Sequence, residues 1–329
     1  MMTVMAVAAI AVCGGVQCEL PDESAGTELD YSAMSGFVLE DGDGLLAKYA
    51  PIILVEGYDK PYNRVGTPTA RFDKQGEEEI FVDPAVPTYY TQIQEWKSET
   101  ASYTNLIYRV HFERSKSNRK SADGGSGRNV GAIVVVTLNE ENKPVFVNSV
   151  QTCGCFHAIL PTTFTPASAY PDGWDTERYS VYGETLPGMM HYPEQFDAGI
   201  RPVMFLRDGN HRTADLLVAS ITSVRAKYQL VPAKYAPMEA LKHLPLGDGE
   251  TSFYYESGKN QGLVKGAYKR KEAILLGAWT GDGRIGQDRI YADDEELPRG
   301  FYTSIKRKEK DDSNMWDYAA FLELNGWKP

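Results

Sequence analysis

The stretch VGAIVVVTLNEENKPVFVNSVQTC, residues 130–153, is the strongest indication of the fold, because two apolar runs flank one short polar turn. The first run, 130–138, is rich in β-branched residues and apolar on both faces, which predicts a strand in the middle of a sheet. The polar residues 139–143 predict the turn, and 144–153 returns as the next strand. The stretch therefore predicts a hairpin at the centre of a larger sheet.

Residues 104–113, TNLIYRVHFE, add a third strand because apolar and polar side chains alternate along them. Alternation with a period of two is typical of a strand with one face on the core. We therefore predict an antiparallel meander of three strands. The first face carries Leu106, Tyr108, Val110 and Phe112, and the second carries Ile107, Arg109, His111 and Glu113.

The composition favours many strands and turns over long helices, since the chain has 30 Gly, 18 Pro and 20 Tyr. We predict a mainly β protein, an antiparallel sandwich or a barrel-like sheet, with a few helices. One helix is expected at the C-terminus, with Ser313 as its N-cap and Gly326 just beyond its end. Residues 212–228, RTADLLVASITSVRAKY, fit a helix or a strand, and the sequence leaves both open.

The N-terminus resembles a signal peptide, because residues 1–18 begin with an uncharged apolar run too short to span a bilayer. Residues 19–45 are acidic and predict a tether, which leaves 46–329 as one β-rich domain with a possible sub-boundary near 170. Cys13 follows Ile-Ala-Val, close to a lipoprotein cleavage site. We therefore expect export to the periplasm or attachment to the cell envelope, with no membrane span beyond the leader. A buried N-terminal strand in a cytosolic protein is the alternative.

The segment QTCGCFHAIL, residues 151–160, is the main candidate for chemistry. If it stayed extended, Cys153, Cys155 and His157 would be spaced by about 6.6 Å, too far apart to share one ion. Gly154 permits a bend that could bring the three side chains together.

A fourth metal ligand would come from His111, on the polar face of the neighbouring strand, or from His211. Thiolate and imidazole ligands favour zinc or copper. Two alternatives stay open: a strained, redox-labile disulfide between the cysteines, or plain packing of small buried side chains.

Two functional hypotheses follow from these observations. The first is an exported envelope protein with a Cys/His metal or redox site. The second is a non-enzymatic envelope binding protein, in which some of the 12 Phe, 5 Trp and 20 Tyr contact an unknown small molecule or glycan. The net charge of −11 argues against nucleic acid as a partner, because phosphate binding requires a basic surface. Whether the protein is an enzyme is left undecided.

A third hypothesis rests on RDGNHRTADLL, residues 207–217. This segment resembles the D-G-x-H-R segment of ParB and sulfiredoxin-like domains. The matching residues are Asp208, Gly209, His211 and Arg212. The resemblance implies that His-Arg opens a helix whose N-terminus meets a phosphate. The alternative is an ordinary hairpin turn at Asp-Gly.

The run 104–163 also resembles a group of uncharacterised bacterial exported proteins. The resemblance lies in the strand 131–138, the turn 139–144, the strand 145–150 and the C-G-C-aromatic-H segment. It implies no activity. It does imply that Cys153, Cys155, His157 and His211 belong to one site.

Overall fold

A computed structural model of the chain describes residues 12–13, 16–17, 29–40, 42, 44–116, 127–269, 284–292 and 300–329. Most of the predicted leader and the first part of the predicted tether lie outside these ranges. The strands are β1 (Val12–Cys13), β2 (Val16–Gln17), β3 (Met34–Leu39), β4 (Ile52–Glu56), β5 (Val65–Phe72), β6 (Glu78–Asp83), β7 (Thr88–Lys97), β8 (Ser102–Arg114), β9 (Arg128–Leu138), β10 (Pro144–Gln151), β11 (Ala158–Pro161), β12 (Tyr179–Val181), β13 (Glu184–Leu186), β14 (Ile200–Leu206), β15 (Thr213–Ser220), β16 (Gln229–Pro237), β17 (Leu244–Leu246), β18 (Gly249–Thr251), β19 (Leu263–Tyr268) and β20 (Gln287–Arg289). The α-helices are α1 (Gly44–Lys48), α2 (Ile221–Lys227) and α3 (Tyr318–Leu324), and short 3-10 helices cover Tyr31–Ala33, Pro61–Asn63, Ala167–Ala169, Met238–Lys242 and Gly258–Asn260.

Twelve of the described strands form one barrel-like, nearly closed sheet. Its main order is β11-β10-β9-β8-β7-β16-β3-β4-β14-β15, with β5 and β6 attached through β8. The predicted meander is confirmed, since β8, β9 and β10 pair antiparallel in that order. Three pairings are parallel, namely β14 with β4 and β16 with both β3 and β7. The prediction of a mainly β, barrel-like fold with a C-terminal helix is therefore confirmed.

Successive side chains along a strand point to opposite faces of the sheet, and the two faces pack into different cores. Leu106, Tyr108, Val110 and Phe112 of β8 belong to the core enclosed by the sheet. Ile107 belongs to a second core, where the chain after residue 238 covers the outer face of β7–β11. A third core lies outside β3, β4, β14 and β15, under α2. β9 is buried over nearly its whole length because it has a core on each side.

Part of the predicted tether is a strand. Residues 34–39 form β3, paired with β4 and β16 near the middle of the sheet. Gly36 allows this close pairing, because a Cβ there would stand 2.2 Å from the carbonyl oxygen of Ile53. Composition alone could not predict this strand, because acidic residues surround the short apolar run 34–39. The possible sub-boundary near 170 does not divide the sheet either, since β7–β11 and β14–β16 lie on either side of it in sequence.

The structure decides the open alternative at residues 212–228 and corrects the cap of the C-terminal helix. Residues 212–228 contain both open alternatives, because β15 is followed directly by α2, which Ser220 caps by accepting a 3.0 Å bond from the Ser223 amide. The C-terminal helix begins four residues later than a Ser313 cap would require. Asp317 caps it by accepting a bond from the Ala320 amide. Gly326, with φ of +85°, follows its end as predicted. No helix in the described ranges has the length and apolarity to cross a bilayer.

Candidate functional site

The candidate site lies where the barrel-like sheet fails to close. Its two terminal strands are β11 and β15, and side chains rather than a backbone ladder connect the adjoining segments. Thr213 at the start of β15 donates a 3.0 Å bond to the Ser149 hydroxyl of β10. The side-chain amide of Gln151 donates to the backbone carbonyl of Asn210 in the β14–β15 turn. The gap, which we call the seam, therefore places residues 151–157 beside residues 207–213.

The cysteine segment leaves the extended conformation at the end of β10. The backbone amide of Gly154 donates a 2.7 Å bond to the backbone carbonyl of Gln151. The backbone amide of Gln151 donates a 3.0 Å bond to the backbone carbonyl of Cys155. Gly154 has φ of +82°, which L side chains rarely adopt. A Cβ at Gly154 would also stand 2.2 Å from the Tyr302 carbonyl oxygen. The glycine therefore makes the sharp bend that the sequence allowed, and both cysteines lie on one tight turn.

The two cysteines differ in exposure. Cys153 is 1% exposed, and its thiol donates to the Gln151 side-chain oxygen at 3.7 Å. Cys155 is half-buried, and neither cysteine is in a disulfide within the described residues. Arg289, itself 3% exposed, donates to the carbonyls of Cys153 and Tyr302. A buried guanidinium therefore fixes the backbone of the turn and adds positive charge beside it.

A chain of three side chains borders this turn. The Asn325 amide nitrogen donates to the Phe321 carbonyl at 2.8 Å, so its oxygen faces Nε2 of His157 at 3.2 Å. Nε2 must therefore carry the proton, and Nδ1 accepts a 3.1 Å bond from the Tyr182 hydroxyl. Burial lowers the pKa of His157, which favours the neutral ring that this arrangement requires.

Tyr182 is the common neighbour of the predicted site residues. Although Tyr182 is 44% exposed, partial burial raises its pKa to about 12, and negative charge on Cys155, Tyr179 and Cys153 adds to the shift. The phenol therefore stays protonated at neutral pH. Its hydroxyl contacts His157 and lies close enough to both sulfurs to respond to their charge. Of the predicted site residues, His157 therefore contacts the Tyr182 hydroxyl directly, and the two cysteines lie within range of its charge.

Tyr182 reaches this position from the tip of a small hairpin. β12 and β13 pair with each other, and Tyr182 and Gly183 form the two-residue turn between them. Their φ values of +50° and +79° fit a type I′ turn, the usual link for such a hairpin. Phe156 also has a positive φ, +55°, and its ring packs edge to face on Tyr182 at 5.2 Å. Left-handed backbone at two bulky residues is strained, and strain of this kind concentrates at functional sites.

The hairpin is held to the seam by an ion cluster. Glu184, 5% exposed, accepts bonds from Arg207 at 2.6 and 3.0 Å and from Arg212 at 2.5 and 3.1 Å. Both arginines belong to the turn between β14 and β15. Arg212 also lies over the Phe156 ring at 5.7 Å. The hairpin, the cysteine turn and the β14–β15 turn therefore form one connected unit.

The other two predicted ligands are engaged elsewhere. His111 accepts a 2.8 Å bond from Arg109 and packs against Phe253 in the outer core. His211 stacks on Phe112 at 3.9 Å in the enclosed core and bonds to Asn63 at 3.2 Å. Because residues 111 and 112 point to opposite faces of β8, the two histidines lie on opposite sides of the sheet. They cannot ligate one ion together, and no three His, Cys, Asp or Glu side chains of the described chain form a ligand group.

The D-G-x-H-R segment forms a hairpin turn. The residues after Arg212 continue as β15, whereas the resemblance to ParB predicts a helix there. Asp208 instead accepts bonds from Lys60 and Asn63. The sequence did not identify Tyr182 or Asn325 as site residues. The one available signal was Tyr-Gly at 182–183, a turn pair between short β-type runs, which does not reveal what the turn covers.

The comparisons with known proteins give no family for this chain. It matches no protein-family model, no curated protein and no solved structure. What can be said of its function therefore depends on the geometry of the seam.

Proposed function

We propose that the protein is a thiol–disulfide exchange protein of the cell envelope, with Cys153 and Cys155 as its redox pair. The observation that carries the proposal is two cysteines of unequal exposure on one tight turn. In such pairs an accessible thiol attacks and a sheltered one resolves. Export, inferred from the leader-like residues 1–18, would place the pair where disulfides persist.

The reaction balances as a two-electron exchange. The half-exposed Cys155 thiolate attacks one sulfur of a substrate disulfide, breaks that S–S bond and forms a mixed disulfide. The other substrate sulfur leaves as a thiolate and takes a proton. Cys153 then attacks Cys155, so that the Cys153–Cys155 disulfide forms and the second substrate thiol departs. The substrate is reduced by two electrons, the protein is oxidised by two, and the reverse sequence oxidises a dithiol substrate.

The surrounding side chains have binding and positioning roles in this proposal. We infer that Tyr182, oriented by His157, limits access to Cys155, because Phe156 beside Cys155 packs on its ring and its pKa responds to the charge of Cys155. Arg289 holds the Cys153 carbonyl, so the turn keeps its shape when the sulfurs move. The exchange requires no cofactor, because the substrate itself is the oxidant or the reductant.

A zinc or copper centre is the second candidate, favoured by two cysteines on one tight turn with His157 two residues beyond Cys155. Two thiolates and one imidazole are suitable ligands for either metal. His157 would have to release Tyr182 or Asn325 to offer a nitrogen, since both ring nitrogens are hydrogen-bonded. Either His111 or His211 would have to leave its own core to supply the fourth ligand.

One experiment separates the two candidates. A protein with Cys13→Ser and Cys18→Ser retains only the pair in question. We expect mass spectrometry across a series of glutathione redox buffers to find reversible loss of two hydrogens within a Cys153–Cys155 peptide, with no stoichiometric metal by elemental analysis. Bound metal that disappears in both Cys153→Ser and His157→Ala would replace redox exchange by the metal centre. Two thiols that stay reduced in every buffer, without metal, would refute both candidates.

A further inference from the structure

A second concave site lies away from the seam, on the outer face of β7. It is a cavity of about 310 Å³, which is at the lower end of the size range of small-molecule sites. The cavity opens beside the 3-10 helix Met238–Lys242 and the segment 290–292. None of its lining residues belongs to the cysteine turn or the β12–β13 hairpin. Its function is therefore independent of the proposed thiol chemistry.

Three aromatic side chains line this cavity, beside aliphatic and polar residues. Tyr254, Tyr291 and Trp316 line it, and Trp316 is half-buried, so part of its indole remains available. The rings of Tyr291 and Trp316 lie 5.5 Å apart. Aromatic faces of this kind bind the apolar C–H face of a flat or ring-shaped ligand.

The aromatic wall is fixed before any ligand arrives. Tyr291 donates a 2.8 Å bond to the Met315 carbonyl, and Gln94 of β7 donates a 2.8 Å bond to the Trp316 carbonyl. These two bonds tie residues 315–316 to the sheet. Because these residues are already fixed, ligand binding would cost less conformational entropy.

The polar groups around the cavity favour an uncharged ligand with several hydroxyl groups. Lys242 and Glu239 form a 3.0 Å ion pair, so the rim carries both signs and no excess charge. Gln92 lines the same cavity and offers an amide donor and an amide acceptor. Hydroxyl groups can bond to all three side chains, whereas a charged ligand would disrupt the ion pair.

We propose that this cavity binds the ring of a neutral sugar, with the ring stacked on Trp316 and its hydroxyl groups bonded to Gln92, Glu239 and Lys242. A lining that combines aromatic rings with mixed donors and acceptors matches a pyranose, which has apolar C–H faces and a polar edge. A purely aromatic ligand would offer no hydrogen bond to the Gln92 amide.

The test is saturation-transfer NMR on the full chain, with D-glucose, D-galactose and N-acetylglucosamine as probes and p-cresol as the aromatic comparator. We expect transfer to the ring C–H protons of at least one sugar, and affinity for it lowered about tenfold by Trp316→Ala. Gln92→Leu keeps the aromatic wall and should weaken the same sugar by about fivefold. Gln75→Leu, at an exposed position in the β5–β6 turn, is the matched control and should leave binding unchanged.

Three outcomes would overturn the proposal. The first is no transfer to any of the three sugars at millimolar concentration. The second is binding of p-cresol without binding of a sugar, which would replace the ligand class. The third is wild-type sugar affinity in a folded Gln92→Leu and a folded Trp316→Ala, with folding checked by near-UV circular dichroism. Because Cys153→Ser should leave sugar binding intact, failure here and failure of thiol exchange are separable.

Discussion

At the scale of single residues, the cysteine turn depends on a glycine for two separate reasons. Gly154 has a left-handed φ, and its missing side chain makes room for the Tyr302 carbonyl. Gly173 has a similar φ of +76°, but nothing lies within 4 Å of where its Cβ would be. The two positions therefore separate backbone strain from steric collision.

We expect Gly154→Ala to lower the free energy of unfolding by about 3 kcal/mol or more, because strain and collision add. Gly173→Ala, with strain alone, should cost about 1 kcal/mol. Urea unfolding of both variants measures the difference. Equal costs would mean that the Tyr302 backbone does not pack against the turn as described.

Asp215 is the residue whose charge opposes folding. Burial raises its pKa from 3.8 to about 6, and the nearby charge of Glu184 adds to the shift, despite bonds from Tyr31 and the Leu216 amide. Because the folded pKa is above the unfolded one, the stabilising contribution of the neutral acid is complete below about pH 4. It is lost as the pH rises through 6.

Asp215→Asn should therefore stabilise the protein by about 1–2 kcal/mol at pH 8, where the wild-type carboxylate is charged. The difference should vanish near pH 3.5, where both side chains are neutral. Thermal or urea unfolding at the two pH values provides the measurement. A stabilisation of the same size at both would show that the charge of Asp215 is not its cause.

At the scale of elements, the β12–β13 hairpin is held at the seam by side chains. In the described chain, β12 and β13 form a two-stranded sheet of their own, and Glu184 connects them to Arg207 and Arg212. Burial alone would raise the pKa of Glu184, but the bonds from the two arginines outweigh it and lower the pKa. Its contribution to stability is therefore present above the ordinary glutamate pKa and is lost as acid protonates it.

Glu184→Gln should destabilise the protein by about 2–4 kcal/mol at pH 7, because two partly buried guanidinium groups lose their shared carboxylate. It should also speed the reaction of Cys155 with a thiol reagent, since Tyr182 moves with the hairpin. Glu177→Gln, at an exposed position just before β12, serves as the control. Unchanged thiol reactivity in a destabilised Glu184→Gln would show that the hairpin does not cover Cys155.

At the scale of the whole molecule, the C-terminal segment completes the outer core. Trp327 is 2% exposed and packs against Phe146 of β10, Tyr170 and Trp174. The same segment supplies Asn325 to the site. Residues far apart in sequence therefore share one core, which argues for cooperative unfolding.

Trp327→Ala should lower the free energy of unfolding by about 3–5 kcal/mol and leave a single transition. Tryptophan fluorescence and far-UV circular dichroism should follow the same curve. Two separate transitions would instead support independent units on either side of residue 170.

Local patterns were enough to predict the meander, because alternation along 104–113 and the apolar run 130–138 report burial directly. The same patterns could not show that Arg109 and His111, on the polar face, are fully buried, since the cover comes from residues beyond 238. Gly154 indicated a bend beside the cysteines. Tyr182 and Asn325 could not be predicted, because only the closure of the sheet brings them to His157.

We proposed that Cys155 attacks and Cys153 resolves, and a trapped mixed disulfide would distinguish these two roles. In a Cys13→Ser, Cys18→Ser background, Cys153→Ser should accumulate a glutathione adduct on Cys155, because the resolving thiol is missing. Cys155→Ser should react far more slowly, since Cys153 is buried. Equal adducts on both variants, or none on either, would contradict the account.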